Sequence, residues 1–191
     1  MLNEKRDGHT VNKQQYVKSW YFMITSWFWV GRIPIAPGTF GSIAAYPVYY
    51  LMVYSSASAS ETVTSLYFSI VLLAVLGYVA IKKFHNVTNL LDHKSIVIDE
   101  VIGQLLTIAL SYKWLCVIVR NVLKVRTESR IVNYIFVISL ILFRFFDIKK
   151  PFFIWFMDRS LKKYAAGVIL DDIVAAIFSA GVVWSAYLAI R

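Results

Sequence analysis

The sequence predicts an all-α fold, a polytopic helical membrane protein with about four to five membrane helices plus an N-terminal interfacial helix. The composition indicates this first, because 59% of the 191 residues are hydrophobic, whereas about 45–50% is usual in soluble domains. The mean hydropathy of +0.61 agrees. Long uncharged stretches and an uneven distribution of Arg and Lys are the other two observations. We expect a polar tail over 1–18 and a single membrane domain over 19–191.

The N-terminal third begins without an evident cleavable signal peptide, because residues 1–18 are polar and lack an apolar core. The aromatic segment 19–30 is too short to cross a bilayer, so we expect it to lie in the interface, where Trp and Tyr are enriched. Segment 42–54 is uncharged and helix-like, with Pro47 inside it. We count it as the first span, because proline is tolerated in membrane helices when neighbouring groups satisfy the freed carbonyl.

Four further segments complete the predicted spans. Residues 62–81 carry no charge, and twenty residues are about enough to cross ~30 Å of hydrocarbon. Residues 173–190 are also uncharged. Residues 101–119 are interrupted by Lys113, and 131–146 form a shorter run that ends near Arg144.

The distribution of Arg and Lys orients these spans with the N-terminus in the cytoplasm. On that side lie five such residues through Arg32, three in 82–99 and five in 149–163. The opposite side carries Arg191 and five residues in 113–130, a basic stretch that we interpret as a possible excursion along the surface. The net charge of +9 fits a membrane with anionic headgroups better than nucleic acid. Cys116 is the sole cysteine, and its apolar neighbours indicate a packed or lipid-facing thiol.

Acidic residues gather at the cytoplasmic ends of the predicted spans, where seven of the eleven acids lie. Adjacent acids occur twice, and carboxylates clustered from several helices need a cation to offset their repulsion. Hard oxygen ligands of this kind suit Mg²⁺. Alternatively, each pair only marks a helix entering the interface. The expected metal ligands are Asp99, Glu100, Asp171 and Asp172, with Asp147 nearby.

Small residues accompany both acid pairs and predict close helix packing. Gly103 lies four residues after Asp99 on the same helix face. Asp171 and Asp172 precede Ala175, Ala176, Ser179 and Ala180, which form a predicted packing seam.

A basic cluster lies close to the predicted metal site. Arg144 and Asp147 are three residues apart and share a helix face, and Pro151 is expected to end that helix. Arg144, Lys150 and Arg159 are candidates for holding a phosphate by charge-assisted hydrogen bonds. A positive-inside cluster with surface ion pairs is the simpler interpretation, although it explains Arg144 poorly because that residue lies in an apolar run.

The segment "GRIPIAPGTFGSIAAYP" reads as a Pro/Gly loop before a helix. Thr39 or Ser42 is expected to cap that helix, and the glycines would let backbone amides approach an anion. A capped loop at the interface is the simpler alternative. His93, beside Asp92, is either a proton shuttle or a solvated loop residue. No HExxH motif and no Cys followed five residues later by Arg occurs, which disfavours covalent chemistry through Cys or His.

Five segments together resemble the phosphatidylglycerophosphatase A family: "APGTFGSIAAYP", "SIVIDEVIGQ", "FRFFDIKKP", "DRS" and "VILDDIVAA". The resemblance runs from about Gly31 to Gly181, although the 112–134 connection looks longer than usual. It implies an all-helical fold and Mg²⁺-dependent removal of the terminal phosphate of phosphatidylglycerophosphate, at the cytoplasmic side of the bacterial inner membrane. It marks Pro37, Gly38, Thr39, Asp92, Asp99, Glu100, Gly103, Arg144, Asp147, Lys150, Pro151, Asp158, Arg159, Asp171 and Asp172.

The expected mechanism follows from these residue types. A bound Mg²⁺ polarises the phosphoryl group and lowers the pKa of a bound water, while basic side chains neutralise the developing charge. Thr39, Arg144, Lys150 and Arg159 are the expected substrate-binding residues. Direct attack by water and a phosphorylated aspartate both stay open, as do the number of metal ions and the oligomeric state. The alternatives are a small ion-coupled transporter that uses the carboxylate cluster and a non-catalytic membrane subunit.

Overall fold

Four long apolar helices make up the body of the protein in the computed structural model, which describes residues 17–90, 93–149 and 165–191. Within these ranges the chain is helical and contains no strand, as predicted. All four are long and apolar enough to cross a membrane; the shortest has 22 residues, about 33 Å at 1.5 Å per residue. The described helices are α1 (Trp20–Thr25), α2 (Pro37–Ile43), α3 (Tyr46–Tyr54), α4 (Ala59–Thr88), α5 (Ile98–Asn121), α6 (Glu128–Lys149) and α7 (Ala165–Ala189).

Helix α5 lies at the centre, because it packs against each of the other three long helices and is the most buried of the four. Its side chains are correspondingly buried, including Ile98, Ile102 and Leu105. Helix α4 is the least enclosed of the four and exposes large apolar side chains such as Phe68 and Val71. Such a surface is expected where a helix faces lipid rather than water.

Small residues let α5 approach its neighbours, as the sequence predicted. A methyl group at Gly103 of α5 would lie 2.6 Å from the Phe143 ring of α6 and 2.9 Å from Cβ of Asp172 on α7. On α7, Ala175, Ala176 and Ser179 are buried. The packing seam predicted on α7 is therefore confirmed.

Segment 42–54 does not form the continuous span that we expected. It is divided between α2 and α3, which have seven and nine residues, too few for either to cross a bilayer. The two short helices nevertheless run together beside α6. The first begins next to Arg144, and the second reaches the other end of α6, where the Tyr49 hydroxyl donates to the Val132 carbonyl oxygen at 3.1 Å.

The start of α2 also differs from the prediction. The predicted Pro/Gly loop is shorter than expected, because the helix already begins at Pro37 and its N-cap is Ala36, with φ of 48°. Neither Thr39 nor Ser42 caps it: the Ser42 hydroxyl donates to the Gly38 carbonyl oxygen within the helix, at 3.0 Å. Proline is favoured at the first helical position because it lacks an N–H that would need a partner.

The aromatic N-terminal segment folds as the short helix α1 followed by a tight turn. Phe22 is buried and its ring lies 6.1 Å from that of Phe84 on α4, whereas Trp20, Phe28 and Trp29 are exposed. The backbone N–H of Val97 donates to the Thr25 carbonyl oxygen at 2.9 Å. This bond joins α1 to the segment that leads into α5.

The basic stretch 113–130 is not an excursion along the surface. Helix α5 continues to Asn121 and α6 begins at Glu128, so only a short connection separates them. Arg120 and Glu128 pair across this connection at 2.8 Å, with both side chains exposed. Four of the five basic residues, Arg120, Lys124, Arg126 and Arg130, therefore lie at or between the ends of two long helices, at the opposite end of α5 from Asp99 and Glu100.

Candidate active site

Three carboxylates from two helices converge at one end of the bundle. One side-chain oxygen from each of Asp99, Glu100 and Asp172 lies within 4.8 Å of the others. The first two residues belong to the first turn of α5, and the third lies on α7. Since the partial positive charge of a helix N-terminus favours nearby anions, the start of α5 is a suitable place for two of them.

The carboxylates are largely shielded from solvent, and their hydrogen bonding is incomplete. Asp172 is 4% exposed. Three oxygens are buried with no hydrogen-bond partner among the described residues: Oδ1 of Asp99, Oε2 of Glu100 and Oδ2 of Asp172. Burying a polar atom without a partner is unfavourable, and more so for a charged group. These three oxygens are therefore available to bind a ligand.

An arginine from α6 stands beside this group. The Arg144 guanidinium pairs with the Asp147 carboxylate at 2.6 Å, and each side chain is about one-sixth exposed. The predicted pairing of these two residues on one helix face is thus confirmed. A methyl group at Gly38 would collide with Oε1 of Glu100 and would lie 3.1 Å from Nη2 of Arg144. Helix α2 therefore brings its backbone against both side chains, and a larger residue at position 38 would force them to move.

Charge balance at this site favours a cation. Asp172 interacts electrostatically with Asp99, Asp147 and Asp171, and Arg144 opposes them. Arg144 supplies one positive charge and is itself paired with Asp147. Like charges this close strongly disfavour being ionised together, so a divalent ion would offset a repulsion that the arginine offsets only in part.

The donor set fits Mg²⁺. This ion takes oxygen ligands, is usually held by one or two carboxylates, and keeps several waters together with substrate phosphate oxygens. Asp99, Glu100 and Asp172 offer carboxylate oxygens from a rigid pair of helices. A site closed by many protein ligands would leave no place for a phosphate, whereas three carboxylates leave that place open.

Several predicted site residues lie at or near the cluster. Asp171 is half-buried and lies outside the group of three converging oxygens, although it is close enough to interact with Asp172. Thr39 follows Gly38 in the first turn of α2. Lys150 and Arg159, like Asp92, Pro151 and Asp158, lie outside the described residues.

His93 has a local structural contact. Its Nδ1 accepts a hydrogen bond from the Ser95 backbone N–H at 3.2 Å, and its ring lies 5.9 Å from that of Phe84. It does not belong to the group of converging carboxylates.

One buried polar residue near the acids was not predicted as part of the site. Gln104 is 0% exposed and lies one helical turn after Glu100 on α5. The indication was available in the sequence, since a single amide side chain interrupts the apolar run after "DEVIG".

Comparison with known proteins identifies relatives over most of the chain. The family model of phosphatidylglycerophosphatase A matches residues 23–187. A protein of Escherichia coli (strain K12) named phosphatidylglycerophosphatase A is 29% identical over 170 residues, which cover 86% of this chain and 81% of the relative. A protein of the same name from Haemophilus influenzae is 31% identical over 162 residues, 83% of each chain. No solved structure matches the chain significantly.

Proposed function

This chain belongs to the phosphatidylglycerophosphatase A family, and on that premise we propose that it is a Mg²⁺-dependent lipid phosphatase. Its substrate is phosphatidylglycerophosphate, and water replaces the glycerol oxygen on the terminal phosphorus. The products are phosphatidylglycerol and inorganic phosphate. The names of the relatives support the substrate, and the chemistry of the buried carboxylates supports the metal.

The observation that carries this proposal is the convergence of Asp99, Glu100 and Asp172 beside Arg144. Carboxylates alone would repel a phosphate. With a divalent ion held among them and a guanidinium at their edge, the same place attracts one. Arg is well suited to this task because its planar group binds two phosphate oxygens at once.

Each residue has a distinct role in the proposed reaction. Asp99, Glu100 and Asp172 hold the ion, which when bound polarises the phosphoryl group and lowers the pKa of a water. Arg144 neutralises charge on the phosphate oxygens, and its pair with Asp147 keeps the guanidinium in place. Asp171, next to the proposed ligands, adds negative charge to the site. It acts either as a further metal ligand or as a base. Thr39, Lys150 and Arg159 are proposed to contact the headgroup.

The membrane position follows from the same arrangement. The acyl chains stay in the bilayer while the headgroup enters at the helix ends that carry the acids. The Arg and Lys distribution of the sequence supports a cytoplasmic position for those ends, and we propose the inner membrane of a bacterium as the membrane. The relatives are named as phosphatases, and no specific observation favours the ion-coupled transporter or the non-catalytic subunit.

The decisive experiment is phosphate release by the full chain in detergent. Phosphatidylglycerophosphate is supplied with Mg²⁺ or with EDTA, and phosphatidate serves as a second phospholipid monoester. We expect release from phosphatidylglycerophosphate that EDTA abolishes and added Mg²⁺ restores. Full activity in EDTA would contradict the metal, and release from phosphatidate alone would contradict the substrate. The Asp172→Asn variant controls for contaminating phosphatases.

A further inference from the structure

Gln104 is a polar side chain near the acids that makes no hydrogen bond to the described residues. The residue is completely buried in α5. Its side-chain oxygen and nitrogen both lack a hydrogen-bond partner among the described residues. A buried amide that makes no hydrogen bond destabilises a fold. We therefore expect the Gln104 amide to bond to a group other than the described residues.

Three other buried polar residues of the long helices show a different behaviour from that of Gln104. The hydroxyls of Thr107 and Ser139 each donate to a carbonyl oxygen of their own helix, at 2.9 and 2.7 Å. Ser179 does the same on α7, at 2.8 Å. Serine and threonine hydroxyls inside helices commonly donate to a backbone carbonyl oxygen in this way. Neither amide atom of Gln104 makes such a bond to the helix backbone.

Gln104 lies on the face of α5 that carries Glu100. Residues four apart lie on one helix face, with Cβ atoms about 5–6 Å apart. Helical side chains lean toward the N-terminus of their helix, so Gln104 leans over the turn that carries Glu100. Oε2 of Glu100 is itself buried without a partner among the described residues. The Gln104 amide and the Glu100 carboxylate thus lie on successive turns of one face of α5, and both have buried atoms without a hydrogen-bond partner among the described residues.

We propose that Gln104 is a positioning residue of the metal site, holding a buried water between its side-chain amide and the Glu100 carboxylate. The inference rests on the proposed function, since it assigns the amide to the site where Mg²⁺ binds. Buried waters typically make about three hydrogen bonds to otherwise unsatisfied polar groups. An amide can both donate to and accept from such a water, which then fixes the orientation in which Glu100 meets the ion.

A buried amide with a purely structural role makes a different prediction. Gln104→Met has nearly the same length and volume without polar atoms. If the amide serves only packing, this variant leaves the response to metal unchanged. If the amide orients Glu100, the variant folds as well as the parent, or better, without Mg²⁺, and binds the ion more weakly. Stability and metal affinity then change in opposite directions.

The test uses the full chain in detergent and three variants. Thermal unfolding is followed without substrate across a Mg²⁺ titration, and kcat and KM for phosphatidylglycerophosphate are then measured. For Gln104→Met we expect an unchanged or higher unfolding temperature in EDTA and about a 10- to 100-fold higher half-saturating Mg²⁺ concentration, as for other residues that orient metal ligands. Its kcat at moderate Mg²⁺ falls while KM for the lipid stays the same.

Two variants control the interpretation. Gln104→Asn keeps an amide that can donate and accept on a side chain shorter by one methylene, so its Mg²⁺ response should lie closer to that of the parent than the response of Gln104→Met does. Ser111→Ala removes another buried oxygen without a partner among the described residues, two turns further along α5, and leaves the Mg²⁺ response unchanged. A parental Mg²⁺ titration for Gln104→Met, or no Mg²⁺-dependent stabilisation of the parent, would overturn the inference. If Mg²⁺ stabilised the parent but the parent released no phosphate, that result would contradict the proposed function. Weaker Mg²⁺ binding by Gln104→Met would still support the role of the amide in that case.

Discussion

The carboxylates of Glu100 and Asp172 lie within 4.8 Å of each other, although one belongs to the first turn of α5 and the other to the last described helix. Their approach depends on Gly103, where the absence of a side chain lets α5 meet both Phe143 and Asp172. The packing of three helices thus creates a site that none of them contains alone. Four predictions follow from this arrangement.

Asp172→Asn should abolish most phosphate release without unfolding the protein. Loss of residues that merely orient metal ligands costs about 10–100-fold, so loss of a ligand should lower kcat/KM by at least about 100-fold. Removing one of three repelling charges should leave the unfolding temperature in EDTA unchanged or higher. Both quantities can be measured on the same detergent-purified sample.

Asp171→Asn is the matched comparison, since it makes the same change one residue earlier. From the sequence we expected this variant, too, to abolish phosphate release. The geometry predicts a smaller loss, because Asp171 lies outside the three converging oxygens. Equal losses in the two variants would place Asp171 among the ligands and contradict this ranking.

Gly38→Ala should reduce turnover more than stability. The added methyl group would collide with Oε1 of Glu100 and crowd the Arg144 guanidinium, and both are ends of flexible side chains that can move aside. We therefore expect a folded protein with lower kcat, measured by phosphate release and thermal unfolding.

Gly181→Ala provides the control for that variant. Apart from its chain neighbours and its own helix backbone, no atom of the described residues lies within 4 Å of the position where its methyl group would stand. Alanine stabilises a helix relative to glycine by about 1 kcal/mol or less. It should keep full activity and be no less stable than the parent. If both alanine variants were equally active, close approach of α2 would not matter for the reaction.

Arg144→Lys should weaken the enzyme although it preserves the charge. Lysine cannot present the planar fork that binds two oxygens, and a hydrogen bond to a charged group is worth about 1.5–3 kcal/mol. At about 1.4 kcal/mol for each factor of ten, kcat/KM should fall by about 10- to 100-fold. Steady-state kinetics over a range of lipid concentrations would measure the loss.

Arg120→Lys tests whether replacing any ion-paired arginine at a helix end by lysine lowers kcat/KM. Arg120 also pairs with an acid, Glu128, but both side chains are exposed at the opposite end of the helices. Exposed ion pairs contribute little to stability. Parental activity in this variant together with a loss in Arg144→Lys would attribute the effect to the site.

Gly103→Ala should destabilise the bundle itself. Its methyl group would press against the Phe143 ring and the Cβ of Asp172, and overpacking of this kind typically costs about 1–3 kcal/mol. Activity should fall as well, because Asp172 moves with α7. Unfolding in detergent would show the change in stability.

Gly77→Ala offers a milder version of the same change. Its methyl group would lie 3.2 Å from the Ile98 side chain, and its nearest contacts are apolar atoms of Ile98 and Ile102 rather than a carboxylate. A smaller loss of stability and normal turnover are expected. The prediction for Gly103 would be wrong if the two variants were destabilised equally.

Much of the fold could be predicted because membrane helices are specified locally. An uncharged run of about twenty residues forms a helix wherever lipid or protein surrounds it, and the runs around 62–81 and 173–190 meet that condition. The pairing of Arg144 with Asp147 is equally local, since it needs only three residues of helix. Segment 42–54 escaped this reasoning because proline can be accommodated inside a membrane helix. In the structure Pro47 instead lies in the first turn of a new helix, α3, directly after the break at Ala44 and Ala45.

The sequence identified two acid pairs, but it did not decide which acids meet. Neighbouring residues on a helix point about 100° apart, so Asp171 and Asp172 cannot both face α5 equally. Burial of Ala175 and Ala176 sets the rotation of α7, and that rotation turns Asp172 inward. The same helix packing buries Gln104 beside Glu100. Residue types and helices can be read along the chain, whereas the choice among adjacent carboxylates depends on contacts between helices that are distant in sequence.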